Sequence, residues 1–314
     1  MTRALSPRAA LLWPLLLLAA CPGPAPQPPP AGPRPRVITA APALAEMVCA
    51  LGAREHLVGV SRFCLHPPEL ASLPRVGGII DPDLETIDGL RPDLLLWQGR
   101  PENLRELAER RGVRMETFRI ETLAEVRDAL RRLGELLGRQ AQATAQVQAL
   151  DQALEAAGRG LPAPGGAGRV RTLLVLGHQP GDLSQVASAG AETFISECLR
   201  AAGGDNVLVD VPGGAWPYVA PEVLLRERPE LIVELQPDPV DAERAAALRR
   251  DWEVLGALPA VAGGRIAIVC GEEVLLPGPR LPLLVDKLAR AVRGELDLGL
   301  SAAVDPQRPP TWPR

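Results

Sequence analysis

Residues 85–96, ETIDGLRPDLLL, and residues 222–233, EVLLRERPELIV, share one layout. A glutamate opens each stretch, an Arg-Pro-acid triplet falls six to eight residues later, and an apolar run follows. A proline stands shortly before each glutamate (Pro82 and Pro221), as at a helix start. The apolar run reads as a buried strand, so each stretch is a short helix, a proline break and a strand. Agreement at several positions, in two places far apart in the chain, points to duplication. The stretches therefore predict two related lobes.

Working outward from the first stretch, short apolar runs alternate with helical patterns. RVITAA, HLVGVS, DLLLW and VRMETFRI read as strands, and LAEMVCALGA, PENLRELAERRG and TLAEVRDALRRLGELLG as helices. This rhythm means a parallel sheet covered by helices. RQAQATAQVQALDQALEAAGRG follows, rich in Ala, Leu and Gln and free of proline; it reads as one long helix continuing from the one before. LPAPGGAG breaks the chain, and a second series of strands and helices begins at RVRTLLVLG and ends at LPLLVDKLARAVRG. The expected fold is α/β: Rossmann-like lobes with parallel sheets over residues 37–137 and 168–295, joined by one connecting helix over 138–160, with a ligand cleft between them.

The ends read differently. Residues 1–20 have a basic start (Arg3, Arg8) and a short apolar run interrupted by Pro14, the pattern of a secretory signal. LAAC (18–21) resembles a bacterial lipobox, so Cys21 is expected to carry lipid and hold the protein at a membrane surface. Residues 21–36 are proline-rich and read as an extended stalk. Residues 296–314 read as a flexible tail. The formal charge of −4 becomes −6 without residues 1–20, which hold two arginines and no acid, and this argues against nucleic acid as a partner.

Aromatic residues are scarce: nine Phe, Trp and Tyr in 314 residues, of which Trp13 and Trp312 lie near the ends. Phe63, Trp97, Trp216 and Tyr218 each fall just after a strand or just before a helix start. In doubly wound sheets those loops border the ligand crevice. Four rings there, two from each lobe, predict a large, flat, mostly apolar ligand; the competing reading makes Trp97 and Trp216 plugs for the ends of their lobes. Arg100 and Arg280 are candidates for contact with the ligand's polar or anionic edge.

RVITAAPALAEMVCALGAREHLVGVSRFCLHPPEL with VGGIIDPDLETIDGLRPDLLLW, and AETFISECLRAAGGDNVLVD with AWPYVAPEVLLRERPELIVEL, resemble the two lobes of the periplasmic receptors for cobalamin, ferric siderophores and haem. The resemblance runs over about residues 37–290. It implies a monomeric, lipid-anchored extracytoplasmic receptor with two rigid lobes, which passes its cargo to the permease dimer of an ABC importer. Within that family the cobalamin receptors place rings where Phe63, Trp97 and Trp216 stand, which makes a corrinoid the expected cargo. Ile79 stands where some relatives have an aromatic. The family also docks on its transporter through one surface glutamate per lobe, and the matching positions are Glu85 and Glu222.

RFCLHPPEL (62–70) brings Cys64 and His66 together. Two ligands are too few for a structural zinc site. The stretch is expected to form the lip of a pocket, with Phe63 facing the ligand and Cys64 and His66 packing or hydrogen-bonding; a second reading makes His66 an axial ligand to the metal of a bound macrocycle. A Cys49–Cys64 disulfide is open in an oxidising compartment. No G-x-S-x-G elbow, Walker A or G-x-G-x-x-G after a strand occurs. LGHQPGDLS offers a His and a Ser without a placed acid, so an extracytoplasmic hydrolase is the distant alternative. No resident cofactor and no enzymatic activity are expected.

Overall fold

The computed structural model describes residues 34–99 and 101–301. The expected signal, the lipidated Cys21, most of the stalk, Arg100 and residues 302–314 lie outside the described residues.

The first lobe holds strands β1 (Val37–Thr39), β2 (Leu57–Val60), β3 (Leu94–Gln98) and β4 (Arg114–Phe118), all parallel, in the order β2-β1-β3-β4. Helices α1 (Pro42–Ala50), α2 (Leu84–Gly89), α3 (Glu102–Arg111) and α4 (Leu123–Leu137) connect or cover them. Beyond α5 (Gln140–Gly158) comes the second lobe, with strands β5 (Val170–Gln179), β6 (Asp182–Ser188), β7 (Gly204–Asn206), β8 (Tyr218–Val219), β9 (Leu231–Gln236), β10 (Ile266–Cys270) and β11 (Asp297–Leu298). Its helices are α6 (Phe194–Ala201), α7 (Pro221–Glu227), α8 (Ala242–Asp251), α9 (Pro259–Ala262) and α10 (Leu281–Val292).

The second sheet runs β11-β10-β9-β5-β6-β8, with β7 on the edge of β5. Within its parallel part, the run β7-β5-β9-β10 repeats the order β2-β1-β3-β4. The repeat extends to register: Leu94 and Leu95 lie beside Val37 and Ile38, as Leu231 and Ile232 lie beside Thr172 and Leu173. One expectation needs correction, because the second sheet is mixed: β6 pairs antiparallel with the far end of β5 and with β8. Glycine at 181 (φ +72) lets DLSQVAS return along β5 as a hairpin instead of entering a helix.

The connecting segment also differs. It does not continue α4, because Gly138 adopts a left-handed conformation (φ 65) and ends that helix. α5 then folds back along α4. A Cβ on Gly134 would lie 2.6 Å from the Ala143 Cβ, so the close approach depends on glycine. α4 itself starts on a capping box, Thr122 accepting from the Glu125 N–H and Glu125 reaching back to the Thr122 N–H. At the other end, the expected tail begins too early: Asp297–Leu298 add a strand to β10.

One apolar core runs through both lobes. It joins Leu44, Met47, Leu130, Leu133, Val147, Leu150, Cys198, Leu199, Leu284 and Leu288, which come from α1, α4, α5, α6 and α10. Each lobe has a smaller core on its outer face, around Leu95 and Trp97 in the first and Ile232 and Trp252 in the second. Fully burying a Leu or Phe contributes about 1.5–3 kcal/mol, so the shared core resists separation of the lobes. Hydrogen bonds also join the lobes: the Leu123 N–H donates to Glu197 (2.6 Å) and the Phe194 N–H to the Glu121 carbonyl (2.6 Å). Among the described residues no helix is long and apolar enough to cross a membrane.

Candidate functional site

A cavity of about 540 Å³ lies between the lobes. Its first-lobe wall comes from the end of β1 and the start of α1 (Ala40, Pro42, Ala43, Glu46), the lip Arg62–His66, the turn Ile79–Asp81 and Gln98. The second lobe supplies Pro237, after β9, and the segment after β10 that includes Glu272, Leu275, Leu276, Pro277 and Arg280. The strand-end loops of both sheets thus face one hollow, where open α/β sheets bind ligands.

The lip and the turn brace each other. Gly77 has φ +82, and a Cβ there would fall 2.3 Å from the Asp81 carbonyl oxygen, so GGIID can fold tightly only with glycine. The Gly78 N–H donates to the Asp81 carbonyl (3.2 Å), and the Arg62 N–H to the Gly77 carbonyl (3.2 Å). Arg62 pairs with Asp81 (2.8 Å) and lies 4.7 Å over the Phe63 ring. The turn pushes Ile80 into the open, 89% exposed, and Leu65 is also exposed on the lip. Two exposed aliphatic side chains at the mouth of a cavity call for an apolar cover.

Of the residues expected at the site, Phe63, His66 and Arg280 meet in this cavity. Among the described residues His66 has no hydrogen-bond or ion-pair partner, so its ring nitrogens are available to a ligand. Trp97 is a correction: it is fully buried in the first lobe's outer core and donates from Nε1 to the Ile79 carbonyl (3.1 Å). It holds the turn in place and offers no ring face to cargo. Trp216 and Tyr218 also line no part of the cavity. Tyr218 sits on β8, opposite Ala187 of the hairpin, and is 73% exposed. Trp216 packs edge-on against Phe194 (6.3 Å), close to the contact between Phe194 and Glu121 of the first lobe. Tyr218 lies on β8 and Trp216 just before it, where the chain pairs with β6 of the hairpin, and nothing in their local sequence revealed that pairing.

Arg280 is not a free cation. Its Nε and Nη2 donate to the two carboxylate oxygens of Glu46 (2.8 and 2.5 Å) across the cleft, with Glu273 at 3.7 Å and Glu272 at 3.9 Å. Glu46 was missed in the sequence. A lone carboxylate inside the buried run LAEMVCALG was the available signal, since burying one demands a partner. Glu85 and Glu222 lie exposed in the first turns of α2 and α7, and neither has an ion-pair partner among the described residues. Cys49, Cys64, Cys198 and Cys270 are free thiols. Burial pushes Cys64 up to about 12, which leaves it inert as a thiolate. Among the described residues no His, Cys, Asp and Glu group could hold a bare metal ion.

The periplasmic binding protein family matches residues 37–271. A "Cobalamin-binding protein" of Halobacterium salinarum is 29% identical over 265 residues, covering 82% of this chain and 69% of the relative. A "Vitamin B12-binding protein" of Pectobacterium carotovorum is 28% identical over 232 residues, covering 72% and 79%. Among solved structures, a periplasmic haem-binding protein of Pseudomonas aeruginosa is 29% identical with a TM-score of 0.66, covering 83% and 94%. The chain belongs to the periplasmic binding protein family, whose members are non-enzymatic, extracytoplasmic carriers that serve ABC importers.

Proposed function

We propose that this protein is a lipid-anchored receptor that captures a corrinoid in the cleft between its lobes and delivers it to the permease dimer of an ABC importer. The cavity carries the reading. Its wall is largely apolar, its mouth exposes Ile80 and Leu65, and its arginines are already paired with carboxylates. Such a site suits a bulky macrocycle with uncharged amide edges, and relatives named for cobalamin and vitamin B12 support the choice. Phe63 would meet the ring and Gln98 its amides. Trp216, at the lobe boundary, would be covered only by a ligand that reaches beyond the cavity. Glu85 and Glu222, exposed on matching helices, are the proposed contacts with one permease subunit each.

A second reading is haem or another metal chelate. The unpartnered His66 favours it, because an imidazole among the residues lining the cavity suits an axial position on iron or cobalt; the haem-binding relative lends support. Calorimetric titration with cyanocobalamin, haem and a ferric hydroxamate separates the two. Tight binding of cyanocobalamin is expected; binding of haem or hydroxamate with none of cobalamin overturns the first reading. Replacing Glu85 and Glu222 together by Ala is expected to stop uptake and leave cargo affinity unchanged. Replacing Cys21 by Ser is expected to release the protein from the membrane fraction.

A further inference from the structure

We infer that Glu46 is a specificity-determining residue of the cleft: by neutralising Arg280 it turns away cargo with anionic edges and admits cargo whose edges are uncharged. This deepens the proposed function and rests on its cleft being the cargo site.

An arginine in a carrier's cavity ordinarily reads as a hook for a carboxylate or phosphate. Here both faces of its fork are in use. Glu46, 3% exposed and on the first lobe, takes the Nε and Nη2 donors in a bidentate pair (2.8 and 2.5 Å). Nη1 faces Glu272 (3.9 Å) and Glu273 (3.7 Å). Lys287, the chain's one lysine, is spent on Glu273 and the Cys270 carbonyl (2.6 Å). Among the described residues Glu46 is thus the carboxylate that takes both donors of one edge of Arg280. The cavity's other described arginine, Arg62, has Asp81.

A cargo carboxylate that took Arg280 would strand Glu46, buried and without a counter-charge, which is a costly state. One that did not would face Glu46 and Glu272 in a low-dielectric cleft, and like charges so placed repel strongly. An amide edge suffers neither penalty. It brings no charge, and its N–H can donate to a remaining lone pair of Glu46 without breaking the pair. Glu46→Gln removes the charge that neutralises Arg280. Glu272→Gln removes a second carboxylate that lines the cavity, from a partly exposed position that the fold depends on less.

The test compares paired ligands that differ only in edge charge, on the full-length protein in detergent: cyanocobalamin against its monocarboxylic acid, and haem against its dimethyl ester. The wild type is expected to prefer the uncharged member of each pair by about tenfold or more, and E46Q and E272Q to lose most of that preference. Equal preference in wild type and both variants, or tighter binding of haem than of its ester by the wild type, overturns the inference. The preference surviving for porphyrins while cobalamin fails to bind supports the inference and refutes the corrinoid reading. If no macrocycle binds at all, both fall.

Discussion

The central strands β3 and β9 begin alike and part at one residue. Each follows a short helix, an arginine with positive φ (Arg91, 46°; Arg228, 50°), a proline and an acid. The acids do the same work: the Asp93 carboxylate accepts the Arg36 N–H (2.7 Å), and the Glu230 carboxylate the Arg171 N–H (3.1 Å). The arginines named there do the same work too, Arg36 donating to the Leu90 carbonyl (2.8 Å) and Arg171 to that of Glu227, at the ends of α2 and α7. Then, at the fourth residue of each strand, the first lobe has Trp97 and the second Glu234, both fully buried on the outer face. Trp97 gives its indole N–H to the cavity turn at Ile79; Glu234 instead receives an indole N–H, from Trp252 (2.7 Å), and the Nε2–H of His178 (3.1 Å). A repeated frame has thus been given two occupants. One ties the strand to the cavity wall, and the other ties it to the lobe's own back.

The largest effects test that assignment directly. Trp97→Ala empties a large core site and should cost about 3–5 kcal/mol. Glu234→Ala strands His178 and the Trp252 N–H, and should cost a similar amount, about 3–5 kcal/mol. Denaturant unfolding reads both. Cargo affinity separates them: it should fall in Trp97→Ala, whose Ile79 turn loses its anchor, and hold in Glu234→Ala under conditions where both remain folded. Equal loss of affinity in the two would break the comparison.

His178 sharpens the second half of it. Its Nε2 faces Glu234, its Nδ1 lies 3.0 Å from the Gln179 carbonyl and 4.0 Å from Asp251, and its edge meets Trp252. Acceptors on both ring nitrogens require two donors, so the imidazolium is the form that fits. Burial is the largest single influence and pulls its pKa down, but the Glu234 hydrogen bond and charge, with Gln179 and Asp251, outweigh it and the value is raised. A raised folded value means that the stabilisation is complete below the ordinary histidine range near about 6.5 and is lost as pH climbs through the folded value. Wild-type stability should therefore decline as pH rises above about 6.5 and through the raised folded value, and His178→Gln should remove most of that slope. A slope that persists in the variant would assign it to other groups. The first lobe has no counterpart, because Trp97 does not titrate.

The frame was legible in the sequence and its occupants were not. Glu-x5-Arg-Pro-acid-strand could be read from residue types alone because proline, positive-φ turns and apolar runs constrain the backbone locally. Phe63 was read onto the lip for the same reason, as part of a segment fixed by neighbours in sequence, whereas His66, expected to pack or hydrogen-bond, lines the cavity without a partner among the described residues. Trp97 misled because an aromatic at a strand's end is equally at home over a ligand or under a turn, and only the Ile79 carbonyl distinguishes them. Trp216 and Tyr218 misled because a hairpin intervenes where the first lobe runs straight into α1. The Glu46–Arg280 pair spans most of the chain, and long-range pairing leaves no local pattern.

Smaller changes probe how equal the repeated parts are. Arg36→Ala and Arg171→Ala each remove charge-assisted bonds to helix-end carbonyls from exposed positions, and each should cost about 1 kcal/mol or less. Matched losses would confirm that the two arginines are equivalent.

Arg91→Gly and Arg228→Gly should give the smallest effects, and of opposite sign. A left-handed conformation costs a non-glycine residue about 1–2 kcal/mol, part of which glycine loses again through its freer unfolded chain. Neither arginine can relax, because the following proline disfavours the right-handed helical alternative and the strand beyond it is held in register. Each variant should therefore gain about 0.5–1 kcal/mol in denaturant unfolding. Equal gains would locate the strain in the frame that both lobes inherited. A gain in one alone would mean that the other arginine's side chain does something its twin does not, and the lobes would then have diverged at the turn before they diverged at Trp97 and Glu234.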